Sequence, residues 1–372
     1  MVPKGWKKNS LDSLFEFKNG LNTEKEQYGN GYKFVNVMDV FRNDILTESK
    51  IIGRVQVTDK QLEGYQLKYG DVLFNRTSET FDEIAIAAIY LDNAIATFGG
   101  FVIRARPKGN QIDPAYSVFL FQSKSYRSQV VKLGQGAIRA NIGQKDLARV
   151  CILVPPLAEQ KKIAQILSTW DKAISVTEKL LTNSQQQKKA LMQQLLTGKK
   201  RLLDENGVRF NGKWEKKLLS DVADVYQPKT ISQSMMSDSG YPVYGANGVI
   251  GFYQEFNHET EQIAVTCRGS TCGIVNWTQA KSWITGNAMV INTDNYSYVS
   301  KKFLFYTLNG SDLKYLISGS GQPQITGNIK THIINLPCIE EQQKIATVLS
   351  AADAEIYTLE KKLACLRDEK KA

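Results

Sequence analysis

The chain has 372 residues, enough for two or three domains with ample core. Hydrophobic residues make up 42% and charged residues 23%, a balance that excludes intrinsic disorder. Forty-seven Lys and Arg against 37 Asp and Glu leave a net charge of +10, which favours a polyanionic partner.

The surplus is uneven. Residues 1–158 hold 21 basic and 16 acidic side chains, 159–203 hold 9 and 3, 204–340 hold 11 and 12, and 341–372 hold 6 and 6. Any nucleic-acid surface in the second half is therefore a local patch. The first ten residues are too polar for a signal peptide. The most apolar stretch, 84–103, is broken by Asp92, Asn93 and Gly99-Gly100, so no membrane span is expected. Five scattered cysteines (Cys151, Cys267, Cys272, Cys338 and Cys365) fit a reducing cytoplasm rather than a disulfide framework. Cys267, Cys272 and His258 lack the fourth ligand and the tight pairing of a zinc site, so no metal is expected.

In chain order, Trp6 with Leu11-Asp12-Ser13-Leu14 opens the first half. Tyr32-Lys33-Phe34-Val35-Asn36-Val37 alternates like a strand, and Gly70-Asp71-Val72-Leu73-Phe74 reads as a turn into another. Strands over 85–89 and at Phe101-Val102-Ile103-Arg104 follow, and Asp113-Pro114-Ala115-Tyr116 begins a helix. The body closes with a glycine-rich loop, Gly134-Gln135-Gly136-Ala137-Ile138-Arg139-Ala140-Asn141, ahead of Pro155-Pro156. A helix over about 159–197 comes next, roughly 58 Å long.

The second half repeats the plan. Trp214 with Leu219-Ser220-Asp221-Val222 opens it, strands are expected at Tyr241-Pro242-Val243-Tyr244-Gly245, Gln262-Ile263-Ala264-Val265-Thr266 and Ala288-Met289-Val290-Ile291, and a helix near 300–308. The loop Gly319-Ser320-Gly321-Gln322-Pro323-Gln324-Ile325 and Pro337 precede a second long helix.

The two helical segments are copies. Glu159-Gln160-Lys161-Lys162-Ile163-Ala164-Gln165-Ile166-Leu167-Ser168 reappears as Glu341-Gln342-Gln343-Lys344-Ile345-Ala346-Thr347-Val348-Leu349-Ser350, without a gap, and Lys188-Lys189-Ala190 reappears as Lys370-Lys371-Ala372. Apolar residues near a 3.5-residue spacing predict a narrow helix-packing stripe. The expected interface is Ile163, Ile166, Trp170, Leu180 and Leu191 on the first helix, and Ile345, Val348, Ala352, Leu359 and Leu363 on the second. The polar run 184–187 should weaken the seam. Packing alone would not require Glu-Gln-x-Lys-Ile-Ala twice.

The order of tryptophan-led opening, Gly-Asp-Val-Leu-Phe, glycine loop, Pro-Pro-Leu-Ala-Glu-Gln-Lys-Lys-Ile and Leu-Leu-Thr-Gly-Lys resembles the specificity subunit of type I restriction–modification systems, over essentially all 372 residues. The second copy departs slightly, at Leu336-Pro337-Cys338-Ile339-Glu340-Glu341-Gln342. The resemblance implies an α/β (α+β) chain with a pseudo-twofold internal repeat: two globular target recognition domains, 1–154 and 204–336, separated by two long antiparallel helices forming a coiled coil, 155–203 and 337–372. It implies that each domain reads half of a bipartite double-stranded DNA site and that the helices set the spacer. Two methyltransferase (M) subunits would dock on the helices, joined by restriction (R) subunits, in the cytoplasm. A 58 Å rod is comparable with one to two turns of B-DNA, at roughly 34–36 Å per turn.

The chain itself carries no sign of catalysis. Its one Pro-Pro pair, Val154-Pro155-Pro156-Leu157, is not a methyltransferase motif, no P-loop occurs, and neither His258 nor His332 has a partner pattern. No catalytic residue and no cofactor are expected. Base edges in the major groove call for Arg, Asn and Gln on loops. The candidates are Asn75, Arg76, Arg139 and Asn141 in the first domain and Asn247, Arg268, Gln322 and Gln324 in the second. Lys145, Lys330 and the pair Lys188-Lys189 are candidate phosphate contacts, and Trp6 and Trp214 are expected to anchor each body to its helix. The competing expectation is a non-enzymatic coiled-coil scaffold without sequence-specific DNA binding.

Overall fold

A computed structural model describes residues 2–246, 248–319 and 323–371. The chain divides into two compact units, 1–173 and 174–372.

In the first unit, Lys7–Ser10 pairs antiparallel with Cys151–Val154, Lys7 opposite Val154 and Ser10 opposite Cys151. The short helix Leu11–Leu14 then buries Leu11 and Leu14. The core is a five-stranded sheet in the order Phe15–Asn19, Val102–Pro107, Val72–Asn75, Ala87–Tyr90, Ile45–Leu46. Val72–Asn75 is buried at all four positions, as expected of an apolar run with both faces covered. Phe15, Phe74, Phe121 and Tyr126 pack on one side, and Leu73, Tyr90, Phe98 and Val102 on the other. A second sheet, Arg54–Val55, Tyr28–Val35, Ala96–Phe98, lines this body, its last pair parallel.

The motif Gly-Asp-Val-Leu-Phe owes its first two residues to a corner. Gly70 sits at φ +88°, a conformation glycine adopts without strain. Asp71 is fully buried, accepts Lys68 N at 2.8 Å and takes two hydrogen bonds from Arg106, at 2.8 and 2.7 Å. The corner is thus fixed before the chain enters the central strand.

The second unit follows the same wiring. Glu215–Leu218 pairs antiparallel with Ile333–Leu336, and Leu219–Val222 is a short helix. A four-stranded sheet runs Asp224–Tyr226, Ala288–Asn292, Ile263–Thr266, Val275–Trp277, beside a three-stranded one, Gly248–Tyr253, Tyr241–Gly245, Trp283–Ile284.

The repeated Glu-Gln pair is a joint. Gln160, fully buried, donates to Gln111 O and Pro155 O at 2.8 and 2.9 Å and accepts Asp113 N at 2.8 Å. Asp113 caps the helix Pro114–Leu120. In the second unit, buried Gln342 donates to Tyr298 O and Pro337 O at 3.1 and 2.8 Å and accepts from Ser300 N at 2.8 Å. Ser300 caps the helix Lys301–Asn309. One amide therefore ties the cap of a body helix to the proline before a long helix, twice. The glutamates take the tryptophans: Trp6 Nε1 donates to Glu159 at 3.0 Å and Trp214 Nε1 to Glu341 at 3.2 Å.

The long helices are Leu157–Leu195, 39 residues, and Ile339–Lys371, 33 residues. Ile163 and Ala164 pack on the first unit's own core, so Ile163 helps to seat the helix on its own body. Within the second unit, 174–195 runs antiparallel to Ile339–Lys371: Glu178 bonds Arg367 at 2.7 Å, Ser184 bonds Glu355 at 3.0 Å, and Lys188 pairs with Asp353.

Burial there alternates by three and four along Ile174, Thr177, Leu181, Ser184, Lys188, Leu191 and Leu195, and along Ile345, Leu349, Ala352, Ile356, Leu359, Leu363 and Leu366. Two expectations are corrected by this phase. Leu180 is 48% exposed and Leu181 takes its place, and Ile166, 47% exposed in the first unit, faces outward. Nor does the run 184–187 interrupt the stripe, because Ser184 and Lys188 stay on it through polar partners. Val348 is half-buried and packs on the second unit's core, and Trp170 is half-buried.

Candidate nucleic-acid interface

In the first unit the central strand Val72–Asn75 runs on into Thr77–Ser78, which pairs antiparallel with Ala140–Asn141, Thr77 opposite Asn141. Arg76 N donates to Phe101 O at 2.9 Å and Ile142 N to Arg76 O at 3.0 Å. Gln135 and Asn141 exchange two backbone bonds, of 2.8 and 2.7 Å, which close the glycine loop. Gly136 there has φ +125°, and an added Cβ would lie 2.1 Å from Arg139 O. Arg76, Arg139 and Asn141 are exposed along this one edge. Asn141 Nδ2 donates to Arg139 O at 3.0 Å, leaving its carbonyl oxygen free to accept. Ile138 at the loop tip is 92% exposed.

Asn75 does not belong with them. It is fully buried, and its amide donates to Thr77 O at 3.2 Å and Glu83 O at 2.9 Å, so it shapes the neighbouring loop and offers nothing to a base. Around the same loop, Tyr126 OH donates to Ala85 O at 2.9 Å, and Arg127 donates to Ile84 O and Asp82 O, both at 2.7 Å. Burial pushes the Tyr126 hydroxyl far above its ordinary range, so it remains a donor. These bonds hold Ala85 at φ +52°, where a residue with a side chain is strained. Segment 77–85 is thus fixed in advance from below.

The second unit has the same edge. Cys267 N donates to Asn287 O at 3.1 Å and Ile325 N to Cys267 O at 3.0 Å, while Ser318 and Gln324 exchange bonds of 2.9 and 3.0 Å. Arg268 bridges Gln324. By this wiring Cys267, buried, stands where Arg76 stands, and exposed Arg268 stands where Thr77 stands. Sequence spacing missed that one-residue step, because the loops between the strands differ in length. Gln324 is half-buried, and Asn247 and Gln322 lie outside the described residues.

Lys145 and Lys330 are exposed just beyond the two edges, on Gln144–Ala148 and Gly327–Thr331. Lys188 is committed to Asp353, which removes it as a phosphate contact, whereas Lys189 is exposed. Trp214 does anchor a body to its helix: it packs on the second core, edge-on to Phe303 at 6.2 Å. His258 is held between Tyr226 OH at 2.9 Å and Asn257 Oδ1 at 2.6 Å. Among the described residues no cluster of His, Cys, Asp and Glu is arranged to hold a metal, and no helix is long and apolar enough to cross a membrane.

The model of the type I restriction modification DNA specificity domain matches this chain twice, over residues 3–183 and 211–365. The chain is 26% identical to a protein described as the specificity subunit of the type I restriction enzyme MjaX of Methanocaldococcus jannaschii, over 95% of this chain and 88% of that one. It is 24% identical to the EcoKI specificity subunit of Escherichia coli, over 51% of this chain and 41% of the relative. The crystal structure of the S subunit of the type I restriction–modification system of M. genitalium superposes with a TM-score of 0.65 at 16% identity, covering 100% of this chain and 94% of the other. That likeness concerns the fold.

Proposed function

Since the chain belongs to the type I restriction–modification DNA specificity family, we propose that its two units each read one half of a bipartite double-stranded DNA target. Arg76, Arg139 and Asn141 are the readers in the first unit, and Arg268 and Gln324 in the second. Lys145 and Lys330 contact phosphates and position the edges without specifying sequence. The long helices set the spacer and carry two methyltransferase subunits, with restriction subunits joining them. The chain supplies recognition only and works in the cytoplasm without a cofactor.

One observation carries this reading. Each unit ends its central strand in the same backbone ladder against a glycine loop, and the two ladders display different polar side chains. A common frame with unlike side chains is what two readers of unlike half-sites need.

The test uses the chain assembled with its methyltransferase subunits. Arg76→Ala and Arg268→Ala should each relax a different half-site, by about 1–3 kcal/mol where the arginine is bidentate to guanine. Methylation of a library with randomised half-sites reads both effects at once. Loss of the same half by both variants would refute the assignment, as would no change in either.

A further inference from the structure

We propose that the groove beside Arg139 in the first unit is a subsite for the edge of a cytosine, with Glu79 as its specificity-determining residue. The inference rests on the DNA-reading function above and adds a base to it.

The groove encloses about 480 Å³ between the helix Val37–Arg42 and the Thr77–Ser78 strand. Its floor is apolar, made by Val37, Met38 and Phe41, and Met38 is left 49% exposed. Arg139, a candidate reader, forms part of its wall, so the groove is continuous with the reading edge. Two carboxylates also line it, and they differ. Glu83 is engaged, accepting from Ser78 Oγ at 3.3 Å and Thr80 Oγ1 at 3.1 Å, and its carbonyl holds Asn75. Glu79 is exposed and has neither a hydrogen bond nor an ion pair among the described residues.

An exposed carboxylate on a surface that meets DNA is repelled by every phosphate, so it is useful there only against a donor. In the major groove, donors are the N4 amine of cytosine and the N6 amine of adenine, whereas guanine O6 and thymine O4 are acceptors that a carboxylate rejects. Adenine sets an N7 acceptor beside its amine and asks for a side chain that both donates and accepts. Cytosine sets a C–H beside its amine. A carboxylate above an apolar floor matches cytosine: N4 donates to Glu79, and the C5 edge lies on Met38 and Phe41. The turn after Arg268 in the second unit, Gly269-Ser270-Thr271, carries no acid, so this selection belongs to one half-site only.

Glu79→Gln keeps the shape and adds donors, so the side chain also suits adenine, which needs a donor and an acceptor together, and the keto bases. In the complex with methyltransferase subunits, the variant should lose cytosine preference at one position of the half-site that Arg76→Ala also affects, by roughly 5- to 150-fold, while the other half-site and the melting temperature stay as in the parent. The proposal is overturned if preference is unchanged at every position, if the relaxed position is not cytosine, or if it lies in the half read through Arg268. Wild-type complex without any sequence preference in the first half would instead sink the DNA-reading function itself.

Discussion

Arg201→Ala should cost far more than the loss of a surface ion pair. Its partner Glu341 is fully buried in the first turn of Ile339–Lys371 and accepts from Arg201 Nε at 2.6 Å, Arg201 Nη2 at 2.7 Å and Trp214 Nε1 at 3.2 Å. The pair also lifts the guanidinium above its ordinary range, through the hydrogen bonds it donates to Glu341 against the opposing effect of burial. Removing the arginine deletes two charged hydrogen bonds and leaves a desolvated carboxylate with an indole N–H. Breaking a buried pair in this way costs about 3–5 kcal/mol, and because Arg201 keeps 20% of its side chain in water the lower end applies, about 3 kcal/mol. For a unit of this size that is a fall of roughly 6–12 °C in Tm. Denaturant unfolding followed by tryptophan fluorescence measures it, since Trp214 touches the site. The double variant Arg201→Ala/Glu341→Gln should recover part of the loss by removing the orphaned charge. Glu159→Gln, at the exposed equivalent, should stay within about 0.5 kcal/mol. A cost below 1 kcal/mol for Arg201→Ala, or a double variant weaker than the single, would refute the reasoning.

Three further outcomes follow from the same structure. Asn75→Ala strips the amide from Thr77 O and Glu83 O and should cost the first unit about 1–3 kcal/mol, together with a relaxed first half-site, read by denaturation and by library methylation. Gln342→Ala strips the partner from the half-buried Ser300 N–H, the buried Pro337 carbonyl and the more exposed Tyr298 carbonyl, and should destabilise the second unit by about 1–3 kcal/mol. Gln160→Ala should do the same to the first, and a loss under 1 kcal/mol in either would contradict the joint. Burial pushes both histidines, His258 and His332, below their ordinary range, for His258 against the pull of Asp294. Their folded pKa values thus lie below the unfolded value near 6.5, so neither affects stability well above pH 6.5. As pH falls below it the unfolded chain binds protons the folded chain refuses, and stability drops. Denaturation midpoints of the second unit should decline from pH 7 to pH 5, and His258→Gln/His332→Gln should flatten that limb.

Repeat, helices and glycine loops were legible in the sequence because each leaves a local mark. The repeat shows in matched letters, Glu159 to Ser168 against Glu341 to Ser350, Asp113-Pro114 announces a capped helix that the structure places at Pro114–Leu120, and the long helix of 39 residues has the expected length. What stayed hidden depends on direction and on partners far away in the chain. Leu180 and Leu181 are equally apolar, and only the burial of Ser184 and the Lys188–Asp353 pair fixes which one lies on the stripe. By sequence Asn75 reads as a base contact because it follows the Gly-Asp-Val-Leu-Phe motif; its burial goes with the bond to Glu83, eight residues on. Glu79 left no signal, since an acid beside a basic edge reads as plain solvated charge until the groove joins it to Met38, Phe41 and Arg139.

The contrast between joint and edge explains why one is copied and the other is not. At each joint the bonds are made by side chains: an amide with one acceptor and two donor hydrogens in use, and a carboxylate facing an indole. Gln160 and Gln342 have no substitute of the same shape that offers both functions, so the letters must repeat. At each edge the bonds are made by the main chain, Ile142 to Arg76 and Ile325 to Cys267, Gln135 with Asn141 and Ser318 with Gln324. A backbone ladder is indifferent to the side chains it displays. Residues such as Arg139 and Arg268, exposed and outside the core, can therefore change without disturbing the frame beneath them. A protein built this way keeps its folding information in buried side chains and leaves its recognition surface free to vary, as two readers of different half-sites require.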